Sequence, residues 1–129
     1  MSVSWEGQHT PLHATAAGKL FLHHMREDQR RRLLRRQLQR YTENTVTKPA
    51  AIQEELRASR DRGYWCTVEE LEDGLNAVAA PIRCAEGAVV AAVSVSGPAF
   101  RLPKESFEEV GGLTVEAAAE IARCLGFRA

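Results

Sequence analysis

Apolar residues recur at helical spacing in four stretches of this chain and alternate in three others. Leu20, Phe21 and Met25 form a stripe, with Ala14, Ala16, Ala17 and Gly18 keeping the first turn slim, which predicts a helix starting near Thr15. Leu33, Leu34, Leu38 and Tyr41 predict a second helix over 26–40, whose opening acids Glu27 and Asp28 suit the positive end of a helix dipole. Residues 42–49 break the pattern. Ile52 and Leu56 lie four apart on one face of a third helix over 49–61, ended by Gly63. Strand-like runs follow at Tyr64–Glu69, Asn76–Arg83 and Ala88–Ser96, the last two joined as a hairpin through Cys84-Ala85-Glu86-Gly87. Gly97-Pro98 is expected to stop the last strand, and Pro103 with Glu105 to open a final helix reaching about Leu125. Residues 1–10 read as a loose lead-in. This order predicts an α+β fold with an antiparallel sheet.

Alternation in the last strand sends Val89, Ala91, Val93 and Val95 to one face and Val90, Ala92, Ser94 and Ser96 to the other. The two serines make a polar spot in an apolar wall. The neighbouring strand offers only Ala77, Ala79 and Ala80, so the small side chains either let a helix pack closely or leave a hollow. Gly111-Gly112 interrupts the final helix, either for close packing, plausibly at a subunit contact, or as a kink.

Composition narrows the classes. The 129 residues hold 17 basic and 17 acidic side chains and are 44% hydrophobic, enough for one domain with a real core and unlike a disordered tail. Zero net charge argues against a surface devoted to nucleic acid or membrane phosphate. The longest apolar stretch, Ala88–Val95, has eight residues, too few to span a bilayer, and the N-terminus lacks the pattern of a signal peptide. Three cysteines without a close pair favour reduced thiols and a cytoplasmic setting. Cys66 is expected to pack as a small apolar residue and Cys84 to be exposed in its turn.

The arginines are the loudest charge feature. Seven lie between Arg26 and Arg40 against two acids, but they spread around a helix without interleaved aromatics, which favours a solvated, salt-bridged face over a nucleic-acid site. The compensating Glu69, Glu70, Glu72 and Asp73 could meet that helix within or between subunits. His23 and His24 are adjacent and point about 100° apart on a helix, a poor geometry for sharing a metal ion. Ser94 and Ser96 lack the Gly-x-Ser-x-Gly turn of hydrolases, and Glu69 and Glu70 would point to opposite faces of a strand. Neither catalysis nor a cofactor or metal is expected.

Several runs together carry a resemblance: Pro11-Leu12-His13-Ala14-Thr15-Ala16-Ala17-Gly18-Lys19, Tyr41-Thr42 with Thr45, Glu55-Leu56 with Arg60, Gly63-Tyr64, Glu69-Glu70, Gly74, Ala79-Ala80-Pro81-Ile82 and Ser94-Val95-Ser96-Gly97-Pro98. In this order, over about residues 10–126, they resemble the effector-binding domain of IclR-type transcriptional regulators. The resemblance implies a GAF-like curved antiparallel sheet flanked by helices. It further implies a small organic acid effector, assembly as a homo-oligomer (dimer or tetramer), and signalling to a winged helix-turn-helix not found here, so that no direct DNA contact and no membrane partner are expected of this chain. The family's domain carries further helix and strand elements upstream of Pro11, so the unit over 11–129 is expected to be incomplete on its N-terminal side. By the same resemblance Ala16, Ala17, Ser94 and Ser96 lie against the effector, with Leu75 lining the pocket. Thr67 stands where the family often has an acid and Ala77 where it often has a cysteine. Losing that charge and thiol implies a less polar site than that of a glyoxylate- or pyruvate-type sensor, suited to a larger, partly apolar acid. The competing reading is a GAF-like dimerisation module that fills the pocket with its own side chains.

Overall fold

Thr15 starts the first helix, α1 (Ala16–His24): its hydroxyl accepts from the Gly18 amide at 3.0 Å and donates to the Pro11 carbonyl at 2.7 Å. That satisfies one of the donors a helix start leaves open and ties the incoming chain to it. The computed structural model describes residues 11–128, so the lead-in expected over 1–10 lies outside the described residues.

The second helix, α2, spans only Glu27–Leu34, shorter than the 26–40 expected. Its charges give the reason. Glu27 pairs with Arg31 at 2.7 Å and Asp28 with Arg32 at 3.7 Å, both four apart, whereas one turn later Arg31 would face Arg35 and Arg32 would face Arg36, like charges that disfavour continuation. The chain instead turns so that Leu38 packs on the core and the Gln39 carbonyl lies 2.7 Å from His13 Nε2. Among the described residues no ion pair joins these arginines to the acidic loop. The third helix, α3, runs over Pro49–Arg62 and ends at Gly63, which adopts the left-handed conformation (φ 90°).

Three antiparallel strands follow in spatial order: β1 (Trp65–Val68), β2 (Leu75–Arg83) and β3 (Val89–Pro98). The alternation in β2 divides the core. Ala77 and Ala79 face α1 and α3, together with Trp65 and Thr67 of β1 and Ser94 and Ser96 of β3. Val78, Ala80 and Ile82 face the other way, onto the last helix, α4 (Phe107–Cys124), which follows a 3-10 turn over Lys104–Ser106.

Three expectations are corrected. β1 ends at Val68 because Glu69 takes a left-handed backbone (φ 51°). Gly97 and Pro98 do not stop β3 but pair with Asn76 and Leu75, a proline being tolerated at the end of an edge strand. Val89 does not share a face with Ala91, Val93 and Val95: the register shifts between Ile82 and Arg83, Val90 is the unpaired extra residue, and Val89 packs with Ala92 on the α1 side.

Of the paired glycines of α4, Gly111 packs closely within the chain and Gly112 does not. A Cβ on Gly111 would come within 2.6 Å of the Tyr64 ring, whereas one on Gly112 would meet nothing within 4 Å. Gly111→Ala should therefore cost about 1–3 kcal/mol as overpacking, and Gly112→Ala should stabilise by roughly 0.5–1 kcal/mol through helix propensity. Urea unfolding of the two variants checks this opposition in sign.

Candidate functional site

The N-terminal turn of α1 stands over the face of the sheet that carries Ala77, Ser94 and Ser96, and an open cavity of about 960 Å³ lies between them. All seven residues singled out from the sequence line it. Ala16 and Ala17 come from α1, Thr67 from β1, Leu75 and Ala77 from β2, and Ser94 and Ser96 from β3. Alternation brings Thr67, Ala77 and Ser96 into one row across three strands, with Ser94 next to Ala79 two pairs along. The small side chains are what keep the space open: Ala77 stands between two hydroxyl-bearing neighbours where a larger residue would reach toward α1.

The polar groups facing this space are neutral or acidic. Among the described residues no lysine, arginine or histidine lines it, and Glu72 and Asp73 sit exposed at its mouth. Positive potential comes from the helix start. The first amides of α1 lack intrahelical acceptors, the Gly18 amide is taken by Thr15, and the slim side chains of Ala16 and Ala17 leave the turn approachable. Such an arrangement suits an anion of low charge with an apolar body, held by backbone amides and serine hydroxyls.

A polar network behind the cavity holds two of its walls together. Lys19, 1% exposed, donates from Nζ to Glu55 Oε1 on α3 and to Glu70 Oε1, each at 2.6 Å. Burial pushes the Glu70 carboxyl above the usual carboxylate range, against the opposing pull of the Lys19 ammonium. The Thr42 hydroxyl donates to the Glu69 carbonyl and the Thr45 hydroxyl to the Glu70 carbonyl, both at 2.6 Å, while Thr45 also accepts from the Tyr41 and Thr42 amides. Asn76 receives the Glu69 amide and donates to the Leu102 carbonyl. The loop carrying Leu71, Glu72, Asp73 and Gly74 to the cavity is thus anchored at its root. The sequence points Glu70 to the arginine helix rather than to Lys19 and suggests no partner for the other supports, although Lys19, Thr42, Thr45, Glu55 and Glu70 all fall within the runs that carried the resemblance.

The remaining candidates fall elsewhere. His23 and His24 pack against the Trp65 ring and are pushed toward the neutral form by burial. Among the described residues no group of three potential ligands could hold a metal ion. Cys66 is half-buried, its thiol pushed up by burial. Cys84, expected to be exposed, is also half-buried, 3.1 Å from Glu86 Oε2.

Comparison with known proteins decides the family. The family described as "Bacterial transcriptional regulator IclR C-terminal" matches residues 1–123. The chain belongs to the IclR family. Among curated relatives, the HTH-type transcriptional regulator BhcR of Paracoccus denitrificans is 39% identical over 116 residues, which cover 89% of this chain and 42% of that protein. The chain thus spans less than half the length of that regulator. Among solved structures, the C-terminal domain of the Escherichia coli transcriptional regulator KdgR matches with a TM-score of 0.82 at 33% identity, over 94% of this chain and 74% of that one. The inducer-binding domain of the transcription factor PobR from Acinetobacter, a double mutant in complex with 3-hydroxybenzoic acid, matches with a TM-score of 0.82 at 29% identity, over 90% of this chain and 67% of that one. These relatives are regulators of transcription, not enzymes, and the α+β architecture is the one seen in IclR-type C-terminal domains such as that of KdgR. No helix among the described residues is long and apolar enough to cross a membrane.

Proposed function

We propose that this chain is the effector-sensing part of an IclR-type transcriptional regulator and that its cavity takes a small organic acid with an aromatic or otherwise apolar body. The observation that carries this reading is the meeting of the α1 start, at Ala16 and Ala17, with Ser94 and Ser96 across an open volume lined by no basic side chain among the described residues. In this reading the carboxylate lies at the helix start, the serine hydroxyls hold it in register, and Leu75, Ala77 and Thr67 receive the body of the ligand. Binding would bias the arrangement of a cytoplasmic dimer or tetramer and, through it, DNA-reading heads carried on a longer chain. The complex of PobR with 3-hydroxybenzoic acid supports the choice of an aromatic acid. The open cavity favours this reading over a dimerisation module filled by its own side chains.

Isothermal titration calorimetry with 3-hydroxybenzoate, glyoxylate and pyruvate tests it. The aromatic acid should bind at least about tenfold more tightly than either short oxoacid. Ser94→Ala should weaken that binding by about 1.5–3 kcal/mol, the loss of one hydrogen bond to a charged group. Binding of the short acids alone would overturn the choice of ligand, and no binding of any acid would overturn the sensing role.

A further inference from the structure

Lys19, Glu55 and Glu70 do not line the cavity, yet their bonds reach two of the segments that do. Lys19 belongs to the turn that carries Ala16 and Ala17, and its amide donates the first backbone bond of α1, to the Thr15 carbonyl at 2.9 Å. Its ammonium reaches the segment that follows β1. Glu70, which receives it there, is followed at once by Leu71, Glu72, Asp73 and Gly74, all lining the cavity. Among the described residues, the bond from Lys19 to Glu70 is the one side-chain hydrogen bond that joins α1 to this loop.

Glu70 is itself held at both carboxylate oxygens. Its Oε1 takes the Lys19 ammonium while Oε2 accepts the Val68 amide at 3.2 Å. The preceding residue, Glu69, donates its amide to the Leu75 carbonyl at 3.0 Å, and its Oε1 accepts the Gly74 amide at 2.7 Å. The turn over 69–75 is therefore tied into one piece, and Lys19 is where that piece meets α1.

We infer that Lys19 is a positioning residue for the ligand: through Glu70 it holds the α1 start and the 71–74 loop at the spacing in which both contact a bound acid. It touches no ligand itself. The inference rests on the proposed sensing role and adds a condition to it, that Glu70 be ionised. With a proton on Glu70 the ion pair is lost, Lys19 keeps only Glu55, and the loop is released from α1. Proton and ligand therefore oppose each other, and by linkage the affinity for the acid rises as pH rises through the range in which Glu70 loses its proton. Burial places that range above the usual carboxylate one, against the pull of Lys19. The charged groups that act on Glu70 are Lys19 from α1 and Glu55 from α3. Beyond them lies the Cys66 thiol of β1, kept neutral by burial, beside Arg62 of α3. Folding stability responds to the same proton with the opposite sign, because a buried neutral carboxyl costs the fold less than a buried charge. A residue that merely supported the fold would not strengthen binding where it weakens stability.

Titration calorimetry with 3-hydroxybenzoate and with pyruvate at pH 5 and pH 8 tests this, together with amide exchange on the ligand-free chain. Wild type should bind the acid it takes at least about fivefold more tightly at pH 8, the lower end of ordinary coupling between sites. Glu70→Gln keeps the shape of the side chain without its charge. It should bind about fivefold more weakly than wild type at pH 8 and equally at the two pH values. A slope caused by histidines would survive in that variant. In the exchange experiment the Glu69 and Gly74 amides should lose more protection in Glu70→Gln than those of Val78 and Ala80 in the middle of β2. A wild-type affinity that is flat or falls between pH 5 and pH 8 overturns the positioning role and leaves the sensing role standing. So does a Glu70→Gln variant that binds as wild type, or one whose loop amides lose no more protection than β2. No binding of either acid by wild type overturns the sensing role and this inference with it.

Discussion

Lys19→Ala should destabilise the fold by about 3–5 kcal/mol near neutral pH, the range for removing one partner from a buried ion pair. The loss falls mainly on Glu70, whose side chain is 8% exposed against 29% for Glu55, so water can take over part of the stabilisation of Glu55 but little of that of Glu70. The pH dependence has a definite sign. Burial raises the Glu70 pKa in the folded state, so between the ordinary glutamate value and the raised one the folded chain binds more protons than the unfolded chain, and stability falls as pH rises through that window. Lys19 holds the window down, and its removal carries the window further up. The variant's penalty should therefore be largest at pH 8 and clearly smaller at pH 5, where Glu70 can bury a proton instead of a charge. Urea unfolding at the two pH values measures this, and an equal penalty at both would show that Glu70 does not carry the loss.

Gly18→Ala should cost about 2–4 kcal/mol, combining overpacking with the loss of a helix cap. The new Cβ would run into Thr15 Oγ1 and lie 2.6 Å from the Pro11 carbonyl oxygen and 2.7 Å from the Leu12 Cα. Two of those neighbours are backbone and cannot rotate away, so relief requires the segment over 11–12 to lift from α1. That movement would also break the bonds of the Thr15 hydroxyl to the Gly18 amide and the Pro11 carbonyl. Thr15→Ala removes the cap without the clash and should cost only about 1 kcal/mol. Thermal unfolding of the two variants separates these contributions, and equal losses would mean that the close approach at Gly18 bears no load.

Much of the cavity was legible because strand alternation has a period of two. Ser94 and Ser96 had to share a face, and the alanines of the neighbouring strand announced either a hollow or a tight contact. The choice between these was not written locally, since it depends on where α1 stands. Val89 was misplaced because a bulge depends on pairing with the neighbouring strand, and the one that breaks the alternation at Val90 leaves no mark in the apolar run of β3 itself. The length of α2 was misjudged because the apolar spacing of Leu34 and Leu38 fits a helix, and the like charges at Arg31, Arg35, Arg32 and Arg36 outweigh it. The Lys19 network was hidden for a different reason: a lysine in a helix looks the same whether it meets water or two carboxylates from distant segments. Gly111 was read as either a packing or a kink position, and only the place of the Tyr64 ring decides between them.

The sheet and the Lys19 network also differ in how much chain each must close. β1, β2 and β3 follow one another as a meander, so their pairing joins segments separated by short loops. Lys19 joins residues 36 and 51 positions away in sequence. Loop closure grows more unfavourable with length, and contacts between distant residues form late in folding. The meander thus closes little chain, whereas the docking of α1, which completes the cavity, closes over much more. One wall of the cavity is therefore local in sequence and the other is held only by long-range contact.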